Sequence, residues 1–298
     1  MEDHVRYLAE EVAYDHADGL LSRRDALRQL AALGIGAVGA ASMLAACASD
    51  KKTTTADPNP TATTSPGPVR PPSEPAPAEA VNYPGRNGTL QGVWAAAGAP
   101  RGVIVVNHEN RGITPFITSV VGRLAGDGYS ALAVDLLSEE GGTANVSDVP
   151  KALAAAPASR FVENTQATVN EALRRQPGVK VGAIGFCFGG NVTWLMVENE
   201  PRLAAAAPFY GTVRTNVDFS QGEAAVLGVY AELDSRVNAT REEARAALER
   251  AGLPHEIRTF PGVDHAFFND TNAARYNAAQ AAAAYTAVLD WFDTHLAR

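Results

Sequence analysis

Apolar residues in this chain come in short unbroken runs rather than in strict alternation. The clearest are Val103–Asn107, Ala131–Asp135, Val179–Gly185, Ala204–Tyr210, Ala225–Ala231 and Glu256–Phe260. Continuous runs of this length fit strands buried on both faces, which is the environment of a parallel sheet. Between them lie segments with helical spacing at Phe116–Asp127, Phe161–Gln176, Asn191–Glu198, Thr240–Ala251 and Ala273–His295. Strand–helix alternation predicts an α/β fold, a doubly wound and mostly parallel sheet with helices on both faces. Its functional loops should sit at the strand C-termini. Val81–Ala95 adds one or two leading strands, expected as an antiparallel edge.

The pattern changes before residue 81. From Ala48 to Ala80 the chain is dominated by Thr, Pro, Ser and Ala. Such a composition buries too little apolar surface to offset its ordering entropy and is expected to be a disordered tether. Further upstream, Ser22-Arg23-Arg24-Asp25-Ala26-Leu27-Arg28 matches a twin-arginine export signal, with Ala26 in place of the usual aromatic. The uncharged run Ala31–Ala46 follows, shorter than the ~20 residues a membrane span needs. Leu44-Ala45-Ala46-Cys47 then resembles a bacterial lipobox, with Cys47 as the lipidated residue. The expected organisation is therefore an export signal over residues 1–47, a tether over 48–80 and one folded domain over 81–298. Signal segments are excluded from fold reasoning, so residues 1–46 are expected to lie outside the fold. The corresponding partners are the twin-arginine export machinery and, through the lipid, a membrane. The protein would be anchored on the outer face of the cytoplasmic membrane or in the cell envelope. The acidic stretch Met1–Gly19 is atypical of signals and has no explanation from sequence alone.

Composition narrows the ligand. The 298 residues are 46% hydrophobic and 19% charged, ordinary for a domain with a sizeable core, and the net charge is −8. An acidic chain does not supply the basic surface that nucleic acid requires, which leaves a small molecule as the expected ligand.

The candidate chemistry centres on Gly185-Phe186-Cys187-Phe188-Gly189-Gly190, between an apolar run and a helical segment. A G-x-C-x-G turn from strand to helix is the nucleophile elbow of the α/β-hydrolase fold, with cysteine in the usual serine place. A helix N-terminus there favours the thiolate. The alternative is a structural thiol beside a tight turn. In this fold the order of catalytic groups is nucleophile, acid, histidine. Asp234 follows the run Ala225–Ala231, and His265 follows Glu256–Phe260. Asp264 competes for the acid role, but neighbouring loop side chains rarely turn their polar ends to each other. No serine stands in G-x-S-x-G, and His108-Glu109-Asn110-Arg111-Gly112 lacks the second histidine of a metal-binding H-E-x-x-H. With Cys47 in the leader, Cys187 has no disulfide partner.

From Val81 onward these motifs resemble the dienelactone hydrolases (carboxymethylenebutenolidases). The resemblance implies hydrolysis of a small ester or lactone by Cys187, His265 and Asp234 through a thioester, with no cofactor or metal. It also implies that Glu109 sits beside the thiol and governs its protonation. The backbone N–H groups of Phe188 and Asn110 are the expected oxyanion hole. Dienelactone-cleaving members place a carboxylate-binding arginine four residues after the histidine, whereas this chain has Asn269. Arg111, Arg160, Arg236 and Arg275 are candidates to compensate. The remaining readings are a broader thiol esterase or thioesterase of the envelope, and a lipid-anchored protein that binds without turnover.

Overall fold

The computed structural model describes residues 3–53, 69–71 and 73–296. Eight strands form one sheet: β1 (Glu79–Gly85), β2 (Gly88–Ala95), β3 (Gly102–Asn107), β4 (Tyr129–Val134), β5 (Val181–Phe186), β6 (Leu203–Phe209), β7 (Ala225–Ala231) and β8 (His255–Phe260). Their spatial order is β1-β2-β4-β3-β5-β6-β7-β8. The β1/β2 and β2/β4 pairs are antiparallel and all the others are parallel. The predicted antiparallel edge is thus a β1–β2 hairpin pairing Glu79 with Trp94 and Gly85 with Gly88. This is the α/β-hydrolase fold.

Both faces of the sheet are covered, which is why its strands read as continuous apolar runs. In β3, Ile104 and Val106 join one core cluster while Val103 and Val105 join the other. The period of two is present, but both phases are buried. The helices of the domain are α4 (Pro115–Gly126), α5 (Val149–Ala155), α6 (Ala158–Arg175), α7 (Phe188–Asn199), α8 (Ser235–Asn238), α9 (Arg241–Ala251) and α10 (Ala278–Leu296). Helix α4 starts with Pro at its first turn and ends with Arg123 in its last, both favourable positions. Helix α9 stops at Gly252 in the left-handed region. The short α5 was not evident from spacing; its N-terminus is capped by Asp148, which accepts from the Lys151 N–H at 3.1 Å.

The N-terminal segment departs from expectation. Residues before Cys47 do not lie outside the fold. They form α1 (Asp3–Ala17), α2 (Arg23–Ala32) and the first part of α3 (Ala37–Thr53). Tyr7, Leu8, Val12, Leu30 and Leu44 are buried in the same apolar cluster as Phe161 and Phe188. The His4 ring meets Phe161 edge-on at 5.6 Å. Among the described residues no helix is long and apolar enough to cross a membrane.

The tether boundary also moves. The Arg70 N–H donates to Thr286 at 3.0 Å, its guanidinium pairs with Asp293 at 2.7 Å, and the Ala76 N–H donates to the Gly122 carbonyl at 2.9 Å. Chain docked on α4 and α10 therefore begins well before residue 81. Residues 54–68 and 72 of the expected tether lie outside the described residues.

Candidate active site

The strand ends bring the candidate residues together. Cys187 sits between β5 and α7 with φ 57° and ψ −118°. A side chain at Gly185 would run into the Gly189 carbonyl and Thr193, and one at Gly189 into the Asn107 and His108 carbonyls. The two glycines therefore let helix and strands approach this closely. Ala266 (φ 63°) and Tyr210 (φ 36°) are also left-handed. Non-glycine residues in such conformations cost about 1–3 kcal/mol each and persist only where packing over-determines them. Here an aromatic cluster does so: Phe186 stacks on Phe268 at 5.3 Å and meets Phe209 at 4.9 Å. The Tyr210 ring lies 4.9 Å from the His265 ring.

His265 Nδ1 is 2.5 Å from Asp234 Oδ2, and both side chains are buried. Asp234 also caps α8 by accepting from the Val237 N–H at 3.2 Å. The neighbouring Asp264 instead accepts from the His265 backbone N–H at 2.7 Å. Burial alone would raise the Asp234 carboxyl; the His265 charge and hydrogen bond overcome it and hold the group below the usual carboxylate range.

Helix α1 lies directly over these groups. The Tyr7 hydroxyl donates to Cys187 Sγ at 3.3 Å. Glu11, 4% exposed, places Oε1 3.5 Å from His265 Nε2 and pairs with the buried Arg236. Arg236 in turn lies over the Tyr7 ring at 4.3 Å. Arg275 pairs with Asp15 at 3.0 Å, with Asp18, and with Glu11 at 3.8 Å. Burial disfavours charge on His265, but Glu11 and then Asp234 outweigh it, so the imidazole stays protonated well above its ordinary range. Burial, then the Glu11 charge, raises the Cys187 thiol. Glu11 is held below its ordinary value because His265, Arg236 and Arg275 outweigh its burial. The thiol is therefore neutral and the imidazolium has a carboxylate partner. The Glu11, Cys187 and His265 donor atoms lie within 4.8 Å of one another. A protonated imidazole and a neutral thiol are poor ligands for a cation.

The other expected residues divide. Glu109 is buried beside the site and accepts from the Asn269 amide at 2.7 Å. Burial lifts its carboxyl to about 7 despite the opposing His265 charge. It contributes to raising the Cys187 thiol, less than Glu11 does. Asn269 thus faces Glu109. His108, not assigned a role from sequence, accepts from the Leu136 N–H at Nε2 (3.1 Å), so Nδ1 carries the proton and donates to the Glu109 carbonyl at 2.6 Å. It pins the ends of β3 and β4. Phe188 is the first residue of α7, where a backbone N–H has no intrahelical partner, and Asn110 lies in the turn after β3. Arg111 is exposed, and Arg160 pairs with Glu140 at 2.6 Å. Cys47 is 7% exposed and lines a cavity of about 930 Å³ between α1, α3 and α7. Tyr7 and Glu11 were missed from sequence; the one signal for them was an acidic stretch that a signal peptide does not explain.

Comparison with known proteins agrees with this fold. The family model for the dienelactone hydrolase family matches residues 90–296. A relative from Escherichia coli O157:H7, named "Putative carboxymethylenebutenolidase", is 32% identical over 209 residues, 65% of this chain and 77% of its own. A crystal structure titled "Putative Dienelactone Hydrolase", from Klebsiella pneumoniae, superposes with a TM-score of 0.66 at 27% identity, covering 73% of this chain and 98% of that one. The same fold, at 24% identity and a TM-score of 0.65, is found in a dienelactone hydrolase-like promiscuous phosphotriesterase from metagenomic libraries, over 76% of this chain and all of that one. A sheet in this strand order, a strained elbow at its centre and a match across residues 90–296 make this chain a member of the dienelactone hydrolase family, a hydrolase of carboxylic esters.

Proposed function

We propose that Cys187 is the nucleophile of a Cys187–His265–Asp234 triad that hydrolyses a small ester or lactone through a thioester. The observation that carries this reading is the 2.5 Å His265–Asp234 contact beside a thiol held in a strained elbow. In the open site the imidazole takes the thiol proton, and the thiolate attacks the acyl carbon. The backbone N–H groups of Phe188 and Asn110 stabilise the oxyanion. The imidazolium then protonates the departing alkoxide, leaving the acyl group on Cys187. His265 next deprotonates a water that attacks the thioester; the acid leaves and the thiol is restored. Asp234 holds the imidazole orientation throughout. Glu109, with a carboxyl near 7, helps keep the resting thiol protonated.

Replacing Cys187 with Ala, compared with wild type in protein whose site has been opened, tests this directly. Turnover of p-nitrophenyl acetate should fall by roughly a thousandfold or more, with the thermal midpoint little changed. Mass spectrometry of the wild type should show an acyl adduct on Cys187. Near-wild-type turnover by the variant would reject the assignment.

We also propose that the protein leaves the cytoplasm by the twin-arginine route and is lipidated at Cys47. Arg23 and Arg24 are exposed at the start of α2, where a receptor can reach them. Lysine at both positions should leave full-length protein in the cytoplasmic fraction, and Cys47→Ala should give an unanchored product. Cytoplasmic recovery of the native chain with its N-terminus intact would refute the route.

A further inference from the structure

We infer that α1 is a built-in inhibitor of the active site, keeping the hydrolase latent until the segment before Cys47 is removed or displaced. The inference rests on the reading of Cys187, His265 and Asp234 as the hydrolytic groups. Its basis is where the polar side chains of α1 go. Tyr7 caps the thiol at 3.3 Å, Glu11 lies 3.5 Å from His265 Nε2, and the Tyr14 hydroxyl is 3.2 Å from Ser235 Oγ. Asp15 and Asp18 close over Arg275, and Glu11 over Arg236. One helix thus meets groups of the elbow, of α8 and of the loop after β8 at once, by charge more than by hydrogen bonds, since His265 Nε2 has no hydrogen-bond partner. That is how a bound ligand meets a site.

The charges explain why such docking silences the chemistry. A thiol–imidazole pair works when the imidazolium is the counterion of the thiolate. Here Glu11 supplies the anion in place of Cys187. The proton stays on sulfur, the imidazole cannot act as base, and the position above the thiol is filled by a phenol. The buried Arg236 guanidinium reinforces the arrangement, because removing Glu11 would leave it without its ion-pair partner. The acidic character of Met1–Gly19 then has a physical reason: Glu11, Asp15 and Asp18 match Arg236 and Arg275.

The seam favours release as a unit. The cavity of about 930 Å³ lies along it, with Tyr14, Met43 and Cys47 on the segment side facing Trp194, Leu195 and Val213. Along this side the segment lacks part of the dispersion contact with α7 that a close-packed helix would have, although Tyr7, Leu8 and Val12 are buried on its other side. Cys47 closes the segment, so processing at that residue would take all of α1 with it.

The test uses the full chain with a protease recognition sequence inserted within residues 55–67. Two rates are followed before and after cleavage: alkylation of Cys187 by iodoacetamide, located by mass spectrometry, and turnover of p-nitrophenyl acetate. Cleavage followed by dilution should raise Cys187 alkylation by about tenfold or more. A synthetic peptide of residues 3–17 should restore protection, and the same peptide carrying Glu11→Ala should not. In the uncut chain, Glu11→Ala alone should accelerate alkylation, so the inference stays testable if the cut protein precipitates. Faster alkylation without ester turnover would uphold the inhibitor and reject the hydrolytic reading. Unchanged alkylation after the fragments separate, or slower alkylation in Glu11→Ala, would overturn the inference.

Discussion

The central sheet and the helix that covers its active end are held by different forces. In β3, Val103, Ile104, Val105 and Val106 are all fully buried, each with neighbouring strands on both sides and helices on both faces. Helix α1 buries Tyr7, Leu8 and Val12, yet its position over the site is set by Glu11, Asp15 and Asp18 against Arg236 and Arg275. Apolar burial at roughly 25 cal/mol per Å² makes the sheet stable. Buried ion pairs often contribute little net stability, because desolvation cancels most of the attraction, but they are exacting about geometry. The sheet is therefore built to persist and α1 to fit. The difference suggests that the two regions open separately.

The strongest way to break that contrast is at the elbow. Gly185→Ala would force a methyl against the Gly189 carbonyl and Thr193, where backbone must move. It should lower global stability by about 3 kcal/mol, visible in the denaturant midpoint, and abolish turnover. A variant with wild-type midpoint would mean that the elbow is looser than its packing indicates.

A smaller effect lies inside the hydrolase domain. Glu109 titrates near 7 when folded against 4.5 for an ordinary glutamate, so the folded state binds more protons between those values. Stability contributed by this group is present at low pH and is lost as pH rises toward 7. Glu109→Gln removes the penalty, gaining about 3 kcal/mol over wild type above pH 7 and nothing near pH 4. Parallel stability curves for the two proteins would show that Glu109 is not buried as described.

The smallest expected effect falls in the N-terminal segment. Ser22 caps α2, accepting from the Asp25 N–H at 3.2 Å and donating to the Asp25 carboxylate at 2.6 Å. Ser22→Ala should cost about 1 kcal/mol locally. Faster amide exchange confined to α2, with protection of β3 and β5 unchanged, would sharpen the contrast. An equal loss of protection in the sheet would erase it.

Much of the hydrolase domain was legible because its signals are local. The runs that became β3 to β8 were displaced by only a residue or two, and Cys187, Asp234 and His265 follow their strands as anticipated. Asp234 rather than Asp264 meets the imidazole, for the stated reason that adjacent side chains turn apart. Glu109 reached the site, but its hydrogen-bond partner is Asn269, not the thiol. A glutamate can be placed near a site by its strand, while its rotamer depends on neighbours from other loops.

The docking of the covering segment was not legible because its partners are remote in sequence. The spacing of Glu11, Asp15 and Asp18 shows one acidic helix face, and nothing more. Arg236 and Arg275, which neutralise that face, lie more than two hundred residues downstream, and only chain folding brings them to it. Sequence alone determined the sheet, the elbow and the order of Cys187, Asp234 and His265 along it, since periodicity and glycine spacing are properties of neighbouring residues. Tertiary structure alone decided which carboxylate faces the imidazole from above, which phenol covers the thiol, and hence the protonation of both, because these depend on burial and charge summed over distant segments.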